Sequence, residues 1–305
     1  MGMQINTNAL ANNSYRHLNS TQNDVSKSME KLSSGLRINR AADDAAGLAI
    51  SEGLKSQVSG SAVAARNAQD GISVIQTTEG ALTEVHSILQ RMRDLAVQGS
   101  NDTNNVASRA AIKAEGNSLG QELARLTEST NFNGIDLLKG EAGNGVTVVP
   151  AVAGPPAVPA SGVLSIQIGT GKTAGVDSIN VTVGDVDAAV NAVAGKELSH
   201  ATAAAGFDVS SSSEAQLTIG RLDAAIGQIS TQRAGLGAAQ NRLEHATKTL
   251  QVSGENLAAA ASRITDTDMA QEMVKFTKAN IMAQAGTAML AQANQSGQGV
   301  LSLLR

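Results

Sequence analysis

The stretch LDAAIGQISTQRAGLGAAQNRLEHATKTLQVSGENLAAAASRI, Leu222 to Ile264, decides how the chain folds. An aliphatic residue recurs at every seventh position along it: Leu222, Ile229, Leu236, Leu243, Leu250, Leu257 and Ile264. That makes six heptad steps, more than the three or four that mark a coiled-coil helix. Three residues after each stands a small side chain at Ala225, Ala239, Ala246 and Ala260, with Gln232 and Ser253 interrupting. Leucine facing alanine lets helices approach closely, and a strict period of seven implies a left-handed wrap around partner helices. At about 1.5 Å per residue the stretch is a rod of roughly 65 Å. A single rod buries no stripe, so the rest of the chain has to supply what lies against it.

The partners are written on both sides. From Ala45 to about Gln98 the spacing predicts one very long helix, with Ile75, Leu82, Leu89 and Ala96 at sevens. Val74, Ala81, Ile88 and Leu95 form an adjacent row, and Val85 and Met92 fill the next. A stripe that wide touches two neighbours. Gly53, Gly60, Gly71 and Gly80 each weaken a free helix by about 1 kcal/mol relative to alanine. Packing has to offset that cost, so these glycines are expected to mark close helix contacts. Asp43 or Asp44 is expected to cap this helix, where the dipole favours a carboxylate. After a break at Gly99–Thr103 a shorter helix follows, with Ile112, Leu119 and Leu126 at sevens.

Residues 4–36 carry a weaker heptad: Leu18, Val25 and Leu32, with Gln22, Met29 and Leu36 between them. So polar a helix needs a partner to order. Thr265–Asp268 breaks the rod, and Met269, Met273, Phe276, Asn280, Ala283, Thr287 and Leu290 follow at steps of four and three. Residues 294–299 are expected to fray, and Leu301–Arg305 forms an apolar end that something has to cover.

Between the helical halves the character changes. Asn133-Gly134 inside NFNGIDLL is a hairpin signal, because a type I′ turn needs positive φ at both central residues. Residues 141–162 hold all four prolines and read as a linker without fixed structure. Val163, Leu164, Ile166 and Ile168, then Ile179, Val181 and Val183, read as two strands joined by GTGKTAGVDS. Val186–Leu198 is expected to form a small helix, and a serine among Ser210–Ser213 to cap the rod.

Composition narrows the function. The net charge of −4 argues against a nucleic-acid binder. One Tyr, three Phe and no Trp suit thin helical layers rather than a round core. Without Cys there are neither disulfides nor thiolate metal sites. MGMQINTNALANNSYRHLNS lacks a basic start followed by an apolar run, so no cleaved signal peptide is expected. No run approaches about 18 apolar residues, so no membrane insertion is expected. Gly169-Thr170-Gly171-Lys172-Thr173 misses the first glycine of a phosphate loop, where Ile166 stands, and leads into a strand rather than a helix. His17, His86, His200 and His245 show no metal-ligand spacing. His86 and His245 either meet between the long helices or serve as packing and surface residues. Neither enzymatic activity, cofactor nor metal is expected.

SGLRINRAADDAAGLAISEGLKSQV (34–58) resembles the N-terminal signature of bacterial flagellin. LQRMRDLAVQGSND (89–102), NFNGIDLL (131–138), LGAAQNRLEHATKTL (236–250), SRITDTDMAQE (262–272), AQAGTAMLAQANQ (283–295) and the LSLLR terminus are similar to further flagellin motifs. The resemblance covers residues 1–142 and 210–305. It implies a mainly α fold: an elongated antiparallel helical bundle with paired N- and C-terminal helices and a small β region with hairpins in the middle. The implied domains are an inner terminal one (1–43 and 265–305), a rod (44–142 and 210–264) and a short variable region (143–209) without large outer domains. The insertion 146–162 has no counterpart role.

The implied function is that of an extracellular filament subunit for motility, exported unfolded by the flagellar type III route. The implied partners are other copies of the chain, an export chaperone, the filament cap and hook–filament junction proteins. Polymerisation is carried by the terminal helices through Leu18, Val25, Leu32, Met273, Phe276 and Leu290. By the same resemblance Gln90, Arg91, Leu95 and Glu115 are read by the flagellin-sensing Toll-like receptor of animals. Asp94 stands where that motif commonly has Glu. The alternative for Arg91 and Glu115 is an ordinary salt bridge worth about 0–1 kcal/mol if exposed. The alternative functions are a hook–filament junction protein or a secreted coiled-coil effector.

Overall fold

The computed structural model describes residues 8–139, 147–149, 161–171, 173, 175–194 and 206–303, of which 147–149, 161, 191, 192, 194 and 296–303 are described by their backbone alone. Six helices and five strands occur among them, in the order α1 (Ala9–Ser34), α2 (Ala45–Gly99), α3 (Val106–Ser129), β1 (Asn131–Phe132), β2 (Ile135–Asp136), β3 (Thr147–Val149), β4 (Ser161–Gln167), β5 (Ser178–Gly184), α4 (Val186–Ala194), α5 (Ser212–Thr265) and α6 (Met269–Leu303). The fold is mainly α, with long helices and small antiparallel β elements. By backbone contact the chain forms two units, Met1–Val58 with Glu255–Arg305, and Ser59–Gly254. This division falls inside α2 and α5, whereas the expected inner boundary lay at the helix breaks near residues 43 and 265.

Side chains start the helices where the free N–H groups need acceptors. Asn8 accepts from Ala11 N, Asn105 from Ser108 N at 2.7 Å, and Asp268 from Ala270 N at 2.9 Å. Of the two candidate caps of α2 it is Asp44 that accepts from Gly47 N, at 2.9 Å. Asp43 instead accepts from Asn39 N and Arg40 N in the preceding turn, and these bonds hold its carboxyl below the usual range. Ser211 Oγ accepts from Glu214 N at the start of α5. Gly35 ends α1 in a left-handed conformation, φ 73°, its N–H bonded to Lys31 O.

In the Ser59–Gly254 unit the heptad rows form the core. Ile75, Leu82, Leu89 and Met92 of α2 meet Leu123 of α3 and Leu222, Ile229, Leu236 and Leu243 of α5, all essentially fully buried. Each such side chain contributes about 1.5–3 kcal/mol by leaving water. Arg93 Nε donates to Asp223 at 2.6 Å and Arg233 to Glu79 at 2.7 Å, which sets α2 antiparallel to α5. The seam is deepest up to Leu243; Leu250, Leu257 and Ile264 are only half-buried.

The β elements close the open side of this core. Sheet order is β3-β4-β5, all antiparallel, with Ile166 opposite Ile179 and Val163 opposite Thr182. Ile179, Val181 and Val183 of β5 point inward in strict alternation, and Val186, Val190 and Val193 of α4 continue the same apolar layer. Backbone Leu138 O accepts from both Val186 N and Asp187 N, which ties α4 to the segment after β2.

Several expectations need correction. The linker 141–162 contains a strand, β3, paired through Val148 with Gly162; the rest of the Pro-rich insertion lies outside the described residues. Three residues are too few to show the alternation that announces a strand. Helix α6 runs unbroken to Leu303 instead of fraying at 294–299, while Leu304 and Arg305 lie outside the described residues. Of the four α2 glycines, Gly60 and Gly71 lie against the β4–β5 hairpin, near Thr170 and Ile166, with Leu243 also close to Gly71; Gly53 and Gly80 face open space. The small helix stops at Ala194, and residues 195–198 of its expected span lie outside the described residues.

Candidate assembly and recognition surfaces

The first surface is the pair formed by α1 and α6. Asn8 Nδ2 donates to Ala293 O at 2.9 Å, Leu18 lies against Gly286, and Ser28 Oγ donates to Glu272 Oε1 at 2.8 Å, so the helices run antiparallel. Leu18, Thr21 and Ser28 are buried, and Val25 and Leu32 half-buried. The second row of the α1 seam is therefore Thr21 and Ser28, three residues after each aliphatic, and not Gln22 and Met29; Met29 is 57% exposed. On α6 the inner row is Glu272, Phe276, Ala279, Ala283, Gly286 and Leu290, whereas Met269, Met273, Asn280 and Thr287 are exposed. Small side chains let the backbones close in. A Cβ at Gly286 would come within 4.0 Å of the Leu18 Cα.

Glu272 is the one acidic residue buried in that seam, at 5% exposed. Burial pushes its pKa up. The hydrogen bond from Ser28, the 3.1 Å contact from Lys275 Nζ and the charges of Lys275 and Lys31 outweigh it, so the carboxyl titrates below its ordinary value. Sequence reasoning missed Thr21, Ser28 and Glu272 because a polar residue at a heptad position looks like an interruption.

The outer side of α6 exposes large apolar side chains among its polar ones. Val274 is 69% exposed, Ile281 61%, and Met269, Met273, Met282 and Met289 between 46% and 64%. Met273, Val274, Thr277, Lys278, Ile281 and Met282 line a shallow apolar groove. An apolar run left open in this way marks a surface that a partner covers.

Where α1 ends and α6 begins, the chain builds a short clasp. Leu36 forms an antiparallel bridge with Asp266, Arg37 N donates to Thr265 O at 2.6 Å and Thr267 N to Gly35 O at 3.0 Å. The Arg37 guanidinium donates to Ile264 O at 2.7 Å, where a cation suits the carbonyl end of α5.

The second surface lies on α2 and α3. Arg91 Nη2 and Nε donate to Glu115 Oε1 at 2.7 and 3.1 Å, with the side chains 57% and 47% exposed. Gln90 is exposed beside them, its amide nitrogen 2.9 Å from His86 Nε2. Leu95 does not share their exposure: it is 2% accessible and belongs to the core. The hairpin β1–β2 pairs Phe132 with Ile135 across Asn133 and Gly134, whose φ values of 51° and 78° are those the Asn-Gly pair calls for.

Other chemistry finds little footing. The β4–β5 connection is a hairpin loop whose Thr173 N donates to the Asp177 carboxylate, so an anion of the chain itself sits there; Lys172 lies outside the described residues. His245 and His17 are exposed, His86 pairs with Gln90, and His200 lies outside the described residues. Among the described residues no group of three or more His, Cys, Asp and Glu is placed to hold a metal, and no helix is long and apolar enough to cross a membrane.

Comparison with known proteins agrees with this architecture. Residues 5–142 match the family model of the bacterial flagellin N-terminal helical region, and residues 219–304 that of the bacterial flagellin C-terminal helical region. The chain is 47% identical over 303 residues to a flagellin of Halalkalibacterium halodurans, covering 99% of this chain and 100% of that one. It is 46% identical over 321 residues to a flagellin of Bacillus subtilis, with the same coverage of both chains. It is 43% identical over 303 residues to the flagellar filament 33 kDa core protein of Treponema phagedenis, again covering 99% and 100%. Both helical halves and the full length thus agree, and the chain belongs to the bacterial flagellin family.

Proposed function

We propose that the chain is the structural subunit of a flagellar filament, polymerising with copies of itself outside the cell and serving motility. The observation that carries this reading is α6. Its inner row is taken up by α1, and its outer side still exposes Met273, Val274, Ile281 and Met282. Neighbouring subunits in a polymer supply the missing cover. In this reading the inner domain (1–43 and 265–305) lines the filament, the rod (44–142 and 210–264) forms its wall, and Leu250, Leu257 and Ile264 gain burial on assembly. The terminal helices order on incorporation, since their seam buries few large apolar side chains of its own. A chain without Cys and with so weak a seam is suited to export unfolded through the flagellar type III route, attended by a chaperone and received by the cap and the junction proteins.

The exposed Arg91–Glu115 pair with Gln90 supports recognition by the flagellin-sensing Toll-like receptor. Leu95 then shapes that surface from beneath rather than touching the receptor. Arg91→Ala is expected to lower receptor-reporter activation by about tenfold or more, in line with loss of an interfacial Arg anchor. It should change the melting stability of the chain by no more than about 1 kcal/mol. Unchanged activation removes the receptor reading and leaves a surface salt bridge.

The filament reading is tested by electron microscopy of the purified chain seeded with short filament fragments. Long tubes of uniform diameter are expected. Persistent monomers with ordered termini would turn the reading toward a junction protein or an effector.

A further inference from the structure

The chain has no Cys, no Trp and one Tyr, so methionine is its most oxidisable side chain. Of its eight methionines, Met1 and Met3 lie outside the described residues. The other six divide sharply. Met92 is 0% exposed in the core of the Ser59–Gly254 unit. Met29, Met269, Met273, Met282 and Met289 are 57%, 46%, 50%, 49% and 64% exposed, and all belong to the unit of the two chain ends. Methionine is among the residue types most often buried, so five exposed out of six is a placement to be explained. Four of the five are on α6, where Met273 and Met282 line the groove together with Val274 and Ile281.

We propose that the methionines of α6 are a reversible oxidation site that decides whether a subunit assembles. The oxidant is a hydroperoxide. A sulfur lone pair attacks the distal peroxide oxygen, the O–O bond breaks, and proton transfer releases water from hydrogen peroxide. The sulfur is oxidised by two electrons to the sulfoxide and the peroxide is reduced. The product replaces a soft, adaptable thioether with a polar acceptor. Covering α6 with a neighbouring copy then strips water from sulfoxide oxygens for which the groove offers Lys278, its other donor, the Thr277 hydroxyl, being already spent on Met273 O. The site is open in the unassembled chain and shielded once a neighbour lies on it. The proposal rests on the filament reading above.

The test treats full-length unassembled chain with hydrogen peroxide, maps each methionine by peptide mass spectrometry, and follows seeded elongation. Met29 and the four α6 methionines are expected to oxidise while Met92 stays a thioether. Elongation is expected to slow by about tenfold or more. Filaments treated after assembly should retain α6 thioethers. The variant M269L/M273L/M282L/M289L keeps volume and apolarity, and its elongation should be indifferent to peroxide. Should that variant not assemble, reduction of oxidised wild-type chain by methionine sulfoxide reductases restores elongation if the proposal holds. Elongation of the fully sulfoxidised chain at the untreated rate overturns it. So does inhibition that outlasts reduction of the sulfoxides. Untreated chain that fails to elongate sinks the filament reading itself, a separate outcome.

Discussion

Glu272 shows how much one residue can carry. A buried hydrogen bond to a charged group contributes about 1.5–3 kcal/mol, and the seam around it has few large apolar side chains. Because its pKa is depressed in the folded chain, the stabilisation is present above the ordinary glutamate value of 4.5 and is lost as pH falls through the lower folded value. The apparent melting temperature of the α1–α6 pair, followed by circular dichroism in assembled protein, is therefore expected to drop as pH falls below 4.5. Glu272→Gln should flatten that slope. An equally steep slope in the variant assigns the acid sensitivity elsewhere. Gly116 is a residue of the opposite kind, conspicuous only through its neighbour. The Phe207 ring lies where a Cβ would stand, and Phe207 is 1% exposed. Gly116→Ala is expected to cost about 1–3 kcal/mol of overpacking, measurable by urea unfolding, although alanine is the better helix former.

Among the elements, α5 is the one most plainly written in the sequence. Leu222, Ile229, Leu236 and Leu243 are aliphatic, evenly spaced and buried as spaced, since apolar periodicity and burial have the same physical cause. The Asn133-Gly134 turn was equally legible, because only a few residues tolerate positive φ. The α1–α6 seam was not. Its contacts are made by Thr21, Ser28, Ala279 and Gly286, whose value lies in being small, and by Glu272, whose value depends on a serine 244 residues away. Strand β3 was hidden for a third reason: its three residues gain order only by pairing with β4. The receptor-motif positions illustrate the limit from the other side, since a linear motif grouped Leu95 with Gln90, Arg91 and Glu115 although helix geometry turns it into the core. Two tests belong here. Ile229→Ala is expected to destabilise the Ser59–Gly254 unit by about 2–5 kcal/mol, and Leu250→Ala, half-buried in the same unit, by distinctly less, as read from chemical unfolding. Gly134→Ala places a side chain at φ 78° and should cost about 1–2 kcal/mol, a loss seen in the same assay.

At the scale of the whole molecule the apolar surface is unevenly finished. The Ser59–Gly254 unit encloses Leu82, Leu89, Met92, Leu123, Leu222 and Leu236 completely, whereas the unit of the chain ends leaves Leu10, Tyr15, Met29 and the α6 methionines open. A chain trimmed to residues 59–254 is accordingly expected to unfold cooperatively in urea, with a midpoint near that of the full chain, and to form no filaments. A trimmed chain that unfolds without cooperativity would place the missing stability in the removed segments.

The clasp at Gly35–Arg37 and Thr265–Thr267 bears on how the polymer transmits work. Each terminal helix is separated from the long helix next to it by a break in the chain, and a lone break acts as a free swivel. Here the two breaks are stitched to each other by the two backbone hydrogen bonds of the Leu36–Asp266 bridge and by Arg37 on Ile264 O. Neither strand turns without the other, so two loose joints become one shaft coupling. A twist applied at either break is shared by both rather than being lost in two independent rotations.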